Sequence, residues 1–335
     1  EQVVRLKEIK NLANQFVRVR RPEISGVDLN LFKFDYDVTM MVFFLNADQY
    51  VYGRYGGRDT GDAEARLSLA GLRYAMDAAL RSHQRKPDAS THKTDPLYIR
   101  DLAKGRHRGG CVHCHQVKEM RNADLRKDNL WNRDRIWRYP PPDNLGFVLE
   151  IDRGNVVARV DRDTPAARAG LQAGDIVRQL GKLPVHSFAD AQFALDGGPK
   201  TGSIPISWQR DDKKHHARIM LPDGWRRTDI TWRRSMQWVI PSARVFGRNL
   251  TEQERRDRGL SSKQLAFWQL YPVSPAAQAA GVREKDIILG FDGKRLEMTA
   301  YKFLAYVRRS YLIGDKVTID VLRGDRRLRL PMQLR

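Results

Sequence analysis

The stretch Cys111-Val-His-Cys114-His115 combines side chains that bind metals and form covalent bonds. It holds both cysteines of the 335-residue chain, three positions apart, with a histidine directly after the second. On a helical turn, positions i, i+3 and i+4 lie on one side, so both thiols and the His115 imidazole would face a single partner. This arrangement suits a redox dithiol, a zinc site or a covalently bound haem.

Covalent haem is the chemistry that the spacing favours. Cys-x-x-Cys-His resembles the attachment motif of c-type cytochromes, in which two thioethers hold the haem and the histidine binds the iron. The resemblance implies one haem c, attached to Cys111 and Cys114, with His115 as the proximal iron ligand. Zinc bound by both cysteines and two of His107, His113 and His115 remains an alternative, as does a redox dithiol.

A sixth iron ligand would come from a histidine outside the motif. His83 is the first choice, because it ends a predicted helix of the preceding segment, and His92 or His107 are the other choices. An open sixth position would instead favour a peroxidase-like haem enzyme.

Residues 1–85 read as one α/β domain. The apolar spacing from Val3 to Phe16 predicts an amphipathic helix, and residues 16–20 (FVRVR) alternate like a strand. The runs 38–45 and 50–57 predict a hairpin, followed by a helix capped by Ser68. This order resembles the C-terminal half of a thioredoxin fold, which implies a further part upstream of Glu1. The family's Cys-x-x-Cys and cis-proline have no counterparts here, so we expect no thiol–disulfide activity.

The segment 86–143 is expected to be a linker followed by a short helical haem-binding segment. Beyond it, TPAARAGLQAGDIV (164–177) and SPAAQAAGVREKDII (274–288) are two copies of one pattern. Each copy continues with a Gly-Lys turn, a predicted helix and a pair of strands, so the C-terminal half is a domain duplication.

Both copies resemble PDZ domains of the type found in HtrA proteases. The resemblance implies β-rich domains at 144–222 and 235–335. PDZ domains take an extended peptide beside a Gly-Leu-Gly-Phe-like loop. The first copy has Leu145, Gly146 and Phe147 in that place, with Phe193 on the facing helix, and we expect it to bind a peptide terminus there. The second copy has GLSSKQLAFW (259–268) at the position that we match to the loop, and we expect no binding there.

The predicted fold class is therefore a multidomain protein, α/β and mainly β. A formal net charge of +20 favours acidic redox partners within an assembly or an anionic membrane surface, and nucleic acid is not expected. No Gly-x-Ser-x-Gly motif and no further domain for a catalytic triad are visible, so a carrier is favoured over an enzyme. We expect an extracytoplasmic monohaem c-type cytochrome that transfers electrons and docks through its PDZ domains. The alternatives are a PDZ scaffold with a structural haem or metal and a haem peroxidase. Haem attachment places such a protein in the bacterial periplasm.

Overall fold

The computed structural model of the chain describes residues 9–59, 62–85, 95–102 and 112–335. The chain forms two compact units, Glu1–Asp229 and Ile230–Arg335. The first unit contains, in order, α1 (Lys10–Ala13), β1 (Met41–Leu45), β2 (Val51–Gly56), α2 (Leu69–Gln84), α3 (Cys114–Lys127), β3 (Phe147–Leu149), β4 (Val157–Val160), α4 (Pro165–Arg168), β5 (Ile176–Leu180), β6 (Leu183–Pro184), α5 (Phe188–Asp196), β7 (Gly202–Arg210) and β8 (Lys213–Leu221). The second contains β9 (Gly247–Asn249), α6 (Glu252–Arg256), β10 (Phe267–Gln269), α7 (Pro275–Ala279), β11 (Ile287–Phe291), α8 (Ala300–Ser310), β12 (Lys316–Arg323) and β13 (Arg326–Gln333).

The predicted hairpin near the start of the chain is confirmed. Strands β1 and β2 pair antiparallel, and α2 packs its buried face with them in one core. The Ser68 side chain accepts a hydrogen bond from the Gly71 N–H, which is the N-cap that the sequence predicts. The prediction of a strand at residues 16–20 is wrong. Val17 and Val19 are 94% and 77% exposed there, and no described strand pairs with this stretch.

Helix α3 confirms the helix predicted after the cysteine motif. Val117 and Met120 are buried on its inner face, in a core shared with Leu29 and Ile99. The buried ammonium of Lys118 on the same face lies 3.1 Å from an Asp37 carboxylate oxygen. The same ammonium lies 3.7 Å from an Asp35 carboxylate oxygen, so the helix is held by ordinary apolar packing and by buried ion pairs of one lysine with two carboxylates.

The first PDZ-like domain is built from two sheets around one core. Strands β3 and β4 form a two-stranded sheet, and the other sheet has the order β6-β5-β7-β8. Between them lie α5 and the fully buried side chains of Leu145, Phe147 and Leu195. Helix α5 begins after Ser187, whose hydroxyl accepts a hydrogen bond from the Asp190 N–H at 3.1 Å.

The second unit has a similar order of elements, with α6 added between β9 and β10 and without a strand in the place of β6, on one five-stranded antiparallel sheet, β13-β12-β11-β10-β9. Strand β9 pairs with β10 as β3 pairs with β4, and α8 takes the place of α5 in the chain order. Gly202 begins the closing hairpin of the first copy and Gly314 precedes that of the second, and they have φ values of +99° and +88°. None of the described helices is long and apolar enough to span a bilayer.

Candidate functional site

The described residues of the cysteine–histidine motif, 112–115, do not converge on a metal site. The His115 Nδ1 atom lies 2.9 Å from Glu119 Oε1 one turn along α3, and the His113 ring stacks on His115. The His83 Nδ1 atom lies 2.8 Å from the Tyr52 hydroxyl. Among the described residues, no three His, Cys, Asp or Glu side chains converge as metal ligands. The predicted ligands Cys111, His92 and His107 lie outside the described residues.

Cys114 begins α3 and is half-buried. Burial raises the pKa of its thiol above the ordinary value, because the thiolate would lose hydration. The thiol therefore stays protonated at neutral pH, and this environment does not activate it as a nucleophile.

The predicted peptide loop of the first PDZ-like domain packs tightly. Leu145 and Phe147 are fully buried, and their side chains belong to the domain core. Gly146 adopts a φ of +88°, and a Cβ atom at this position would lie 2.2 Å from the Thr164 side chain. Glycine is therefore required both by the backbone conformation and by the close approach of Thr164.

The outer face of α5 is covered by strand β2 and the residues that follow it. The guanidinium of Arg54 lies 3.6 Å from the centroid of the Phe193 ring, so Phe193 does not face an open pocket. The Arg54 N–H donates to Asp190 Oδ1 at 2.9 Å, and the Ser187 hydroxyl donates to the Arg54 carbonyl. Gln192 donates to the Arg58 carbonyl at 3.0 Å.

Arg66 fills the space between β3 and α5. Its guanidinium donates to the Leu149 carbonyl on β3 at 3.2 Å and lies 4.6 Å from the centroid of the Phe188 ring on α5. It also forms ion pairs with Asp59 at 2.6 Å and with Asp143 at 3.2 Å. Only 11% of the side chain is exposed. The groove in which a PDZ domain takes a peptide is thus occupied by the chain itself.

Two titratable groups border this covered face. Burial raises the pKa of Asp190 to about 6, although Arg54 opposes the shift. Burial also lowers the pKa of His186 to about 4, and the charges of Arg81, Arg178 and Arg85 add to this effect.

In the second unit, the stretch equivalent to the peptide loop differs from the one that the sequence comparison matched. Because β9 takes the place of β3, the equivalent loop ends at Phe246 and Gly247, whereas residues 259–268 lead into β10. Phe246 is 38% exposed. The Asn249 side chain accepts a hydrogen bond from the Ala300 N–H at 2.8 Å, and this bond joins β9 to the start of α8.

The comparisons with known proteins point to PDZ domains and to HtrA proteases. A family model described as PDZ domain matches residues 156–210. The periplasmic pH-dependent serine endoprotease DegQ of Escherichia coli is 25% identical over 56% of this chain and 38% of its own length. The periplasmic serine endoprotease DegP of the same organism is 25% identical over 56% of this chain and 36% of its own. The chain thus spans under two fifths of the length of these relatives.

The solved structures that match this chain include HtrA-type proteases, at low sequence identity and low structural similarity. An HtrA-type protease solved with a decapeptide is 16% identical, covers 53% of each chain and has a TM-score of 0.27. The serine endoprotease from Yersinia pestis is 21% identical over 29% of this chain and 33% of its own, with a TM-score of 0.22.

These findings correct the cytochrome interpretation. The relatives are serine endoproteases, so the expected c-type cytochrome, its haem c, its electron-transfer function and the preference for a carrier over an enzyme are wrong. The physical reason is visible in α3, where His115 pairs with Glu119 and the inner face packs into an apolar core. The redox partner that was expected with the haem has no support.

Other expectations hold. The chain is a mixed α/β protein with a β-rich PDZ domain, which is the coarse fold class that the sequence predicts. The protein is extracytoplasmic, as predicted, since its relatives are periplasmic. The PDZ match also supports peptide termini as a class of partner.

Proposed function

We propose that this chain acts in extracytoplasmic proteolysis of the HtrA type, in which its PDZ-like domains recognise the polypeptide to be cleaved. The PDZ match and the 25% identity to periplasmic serine endoproteases over 56% of the chain support this function. The repeated order of elements adds to it, because it supplies two candidate recognition domains on one chain.

Peptide termini are assigned to the groove between β9 and α8 in the second unit. The observation that carries this assignment is the difference between the two equivalent loops. The Leu145 and Phe147 side chains are fully buried and Phe193 is stacked under Arg54, whereas Phe246 is partly exposed beside the start of β9. An exposed aromatic side chain next to a strand can contact the last apolar side chain of an added peptide.

A binding titration tests this assignment. Peptides with free and amidated C-termini are titrated into the full chain, and hydrogen exchange identifies the segments that each peptide protects. We expect binding that needs the free carboxylate, protection of β9 and α8, and at least a fivefold loss of affinity in Phe246→Ala. The equally aromatic but more exposed Tyr271 provides the control, because Tyr271→Ala should leave the affinity unchanged. Carboxylate-dependent protection confined to β3 and α5 would contradict the assignment.

The proteolytic step is tested separately. The purified chain is incubated with unfolded casein, with and without a serine-directed fluorophosphonate. Cleavage that the reagent blocks would assign hydrolysis to this chain. Binding without cleavage would restrict the function to recognition for a protease.

Three finer expectations stay predictions. The peptide site at Leu145, Gly146, Phe147 and Phe193 would require displacement of Arg54 and Arg66. The thioredoxin-like assignment of residues 1–85 is supported by the β1–β2 hairpin and the packing of α2 with it. Attraction to acidic proteins or to an anionic membrane surface is supported by the net charge of +20.

A further inference from the structure

The covered face of α5 binds arginine side chains by a repeated pattern. Arg54 lies over Phe193 and beside the buried Asp190 carboxylate, at 3.8 Å. Arg66 lies over Phe188 and is paired with Asp59 and Asp143. Each guanidinium is therefore stacked on a phenylalanine of one helix and neutralised by a carboxylate.

These contacts suit a guanidinium better than an ammonium group. A planar guanidinium can stack on an aromatic ring while its N–H groups donate in several directions within its plane. Arg66 uses both properties, because it stacks on Phe188 and donates to two carboxylates and one main-chain carbonyl. A lysine ammonium cannot reproduce this combination.

The same face also binds the main chain that carries Arg54. Side chains of α5 and its cap contact the main chain on both sides of the Arg54 Cα atom, since Asp190 accepts from the Arg54 N–H and Ser187 donates to the Arg54 carbonyl. The close approach continues at Gly57, where a Cβ atom would lie 2.7 Å from Gln192 Oε1 and 3.0 Å from the Phe188 ring. The face thus fits an extended segment that carries glycine three residues after its arginine.

We propose that the covered face of α5 is a recognition site for an internal arginine on an extended segment, and that Arg54 and Arg66 occupy it within the same chain. A partner segment that carries arginine binds the first PDZ-like domain only by displacing them. The ligand class differs from the chain terminus assigned to the second unit, because the contacts bind a guanidinium together with the N–H and the carbonyl of the same internal residue. The inference deepens the proposed function by assigning different peptide features to the two domains.

Removal of Arg66 opens the site for a test on the full chain. The probe is the blocked pentapeptide acetyl-Gly-Gly-Arg-Gly-Gly-amide, which has no free carboxylate, and its lysine counterpart is the ligand control. Affinity is measured from the probe-dependent rise in Tm, and hydrogen exchange identifies the protected segments. Arg73, an exposed arginine on α2, provides the matched control variant Arg73→Ala.

We expect Arg66→Ala to have a lower Tm than wild type and to regain part of it with the arginine probe. The probe should bind this variant at least tenfold more tightly than it binds wild type or Arg73→Ala, and at least tenfold more tightly than the lysine probe does. Protection should appear at β3 and α5. Equal effects of both probes, or no rescue of a folded Arg66→Ala protein, would overturn the proposal.

If Arg66→Ala does not fold, Arg66→Lys and Arg54→Ala allow the same measurement. Arg66→Lys keeps the charge and the aliphatic stem but loses the stacking plane, so a gain in arginine-probe binding is still expected. In the same samples, carboxylate-dependent binding at β9 and α8 reports on the proposed function. If the arginine probe binds but carboxylate-dependent binding is absent, only the assignment of peptide termini to the second unit is rejected. If carboxylate-dependent binding is present but the arginine probe does not bind, only the arginine site is rejected.

Discussion

The Arg210 guanidinium clamps the fully buried Asp175 carboxylate with two hydrogen bonds, of 2.6 and 2.7 Å. Arg210 also donates to the Gly170 carbonyl at 2.8 Å. The second unit repeats this clamp with Arg323 and Asp286, at 2.7 and 2.9 Å. The two residues are 35 positions apart in the first pair and 37 positions apart in the second. The same ion pair thus stabilises the equivalent place in each PDZ-like domain.

Loss of this clamp should destabilise the first unit. Arg210→Ala leaves the buried Asp175 carboxylate without its cation, which costs about 2–4 kcal/mol, at the lower end because the arginine is itself partly exposed. Chemical denaturation monitored by tryptophan fluorescence measures the change. Arg162→Ala is the control, because Arg162 is exposed. Equal stabilities of the two variants would show that the clamp contributes little.

The pH dependence of stability should contain two opposite contributions from the covered face of α5. His186 has a folded-state pKa of about 4, so below about pH 6.5 the unfolded chain binds a proton that the folded chain does not, and stability falls. Asp190 has a folded-state pKa of about 6, so as pH falls from about 6 to about 4 the folded chain gains a proton first, and stability rises. The two effects, each on the order of 3 kcal/mol, should largely cancel between pH 4 and 6.

Single variants separate these contributions. Relative to wild type, His186→Gln should gain stability as pH falls from 6.5 to 4, because the proton uptake by the unfolded state is removed. Asp190→Asn should lose stability over the same range for the opposite reason. Urea denaturation at half-unit pH steps measures both profiles. Parallel profiles for all three proteins would contradict the assigned shifts.

Much of the fold follows from local sequence signals. The Ser68 cap, the spacing of Leu72 and Met76, and the duplicated Ser/Thr-Pro-Ala-Ala turns each specify a local structure, and the structure contains each of them. Local signals suffice here because a cap and a helix face depend on residues within about one turn of each other.

The site depends on contacts that no local pattern encodes. Arg54 and Asp190 are 136 residues apart, and nothing near either residue specifies the other. The available signals were weak: two acidic residues in the largely apolar stretch FADAQFALD, and arginines within the glycine-rich YGRYGGRD. Conversely, the five-residue cysteine motif gave a strong local signal for a cofactor that the relatives contradict.

Alkylation tests the environment of the Cys114 thiol. Burial raises the pKa of Cys114, so its reaction with iodoacetamide at pH 7 should be several-fold slower than that of a cysteine in an unstructured peptide. The rate should rise steeply only at pH values above those at which an ordinary cysteine thiol ionises. Mass spectrometry of a Cys111→Ser variant follows this thiol alone, with the urea-unfolded variant as control. Rapid labelling of the folded variant at pH 7 would show an activated thiol instead.

Gly247 should be the least replaceable glycine of the second unit. A Cβ atom at this position would lie 1.6 Å from the Trp268 carbonyl oxygen, which is main chain and cannot rotate away. Gly247 and Gln269 are paired in the β9–β10 ladder, so Gly247→Ala must push these strands apart beside the proposed terminus site. We expect a loss of at least about 3 kcal/mol in the stability of this unit and loss of carboxylate-dependent peptide binding. Gly259→Asn is the control, because Gly259 has a φ of +61°, which asparagine tolerates, and no atom within 4 Å of its Cβ position. Hydrogen exchange of β9 and β10 reports the local effect, and unchanged protection in Gly247→Ala would show that the two strands accommodate a methyl group.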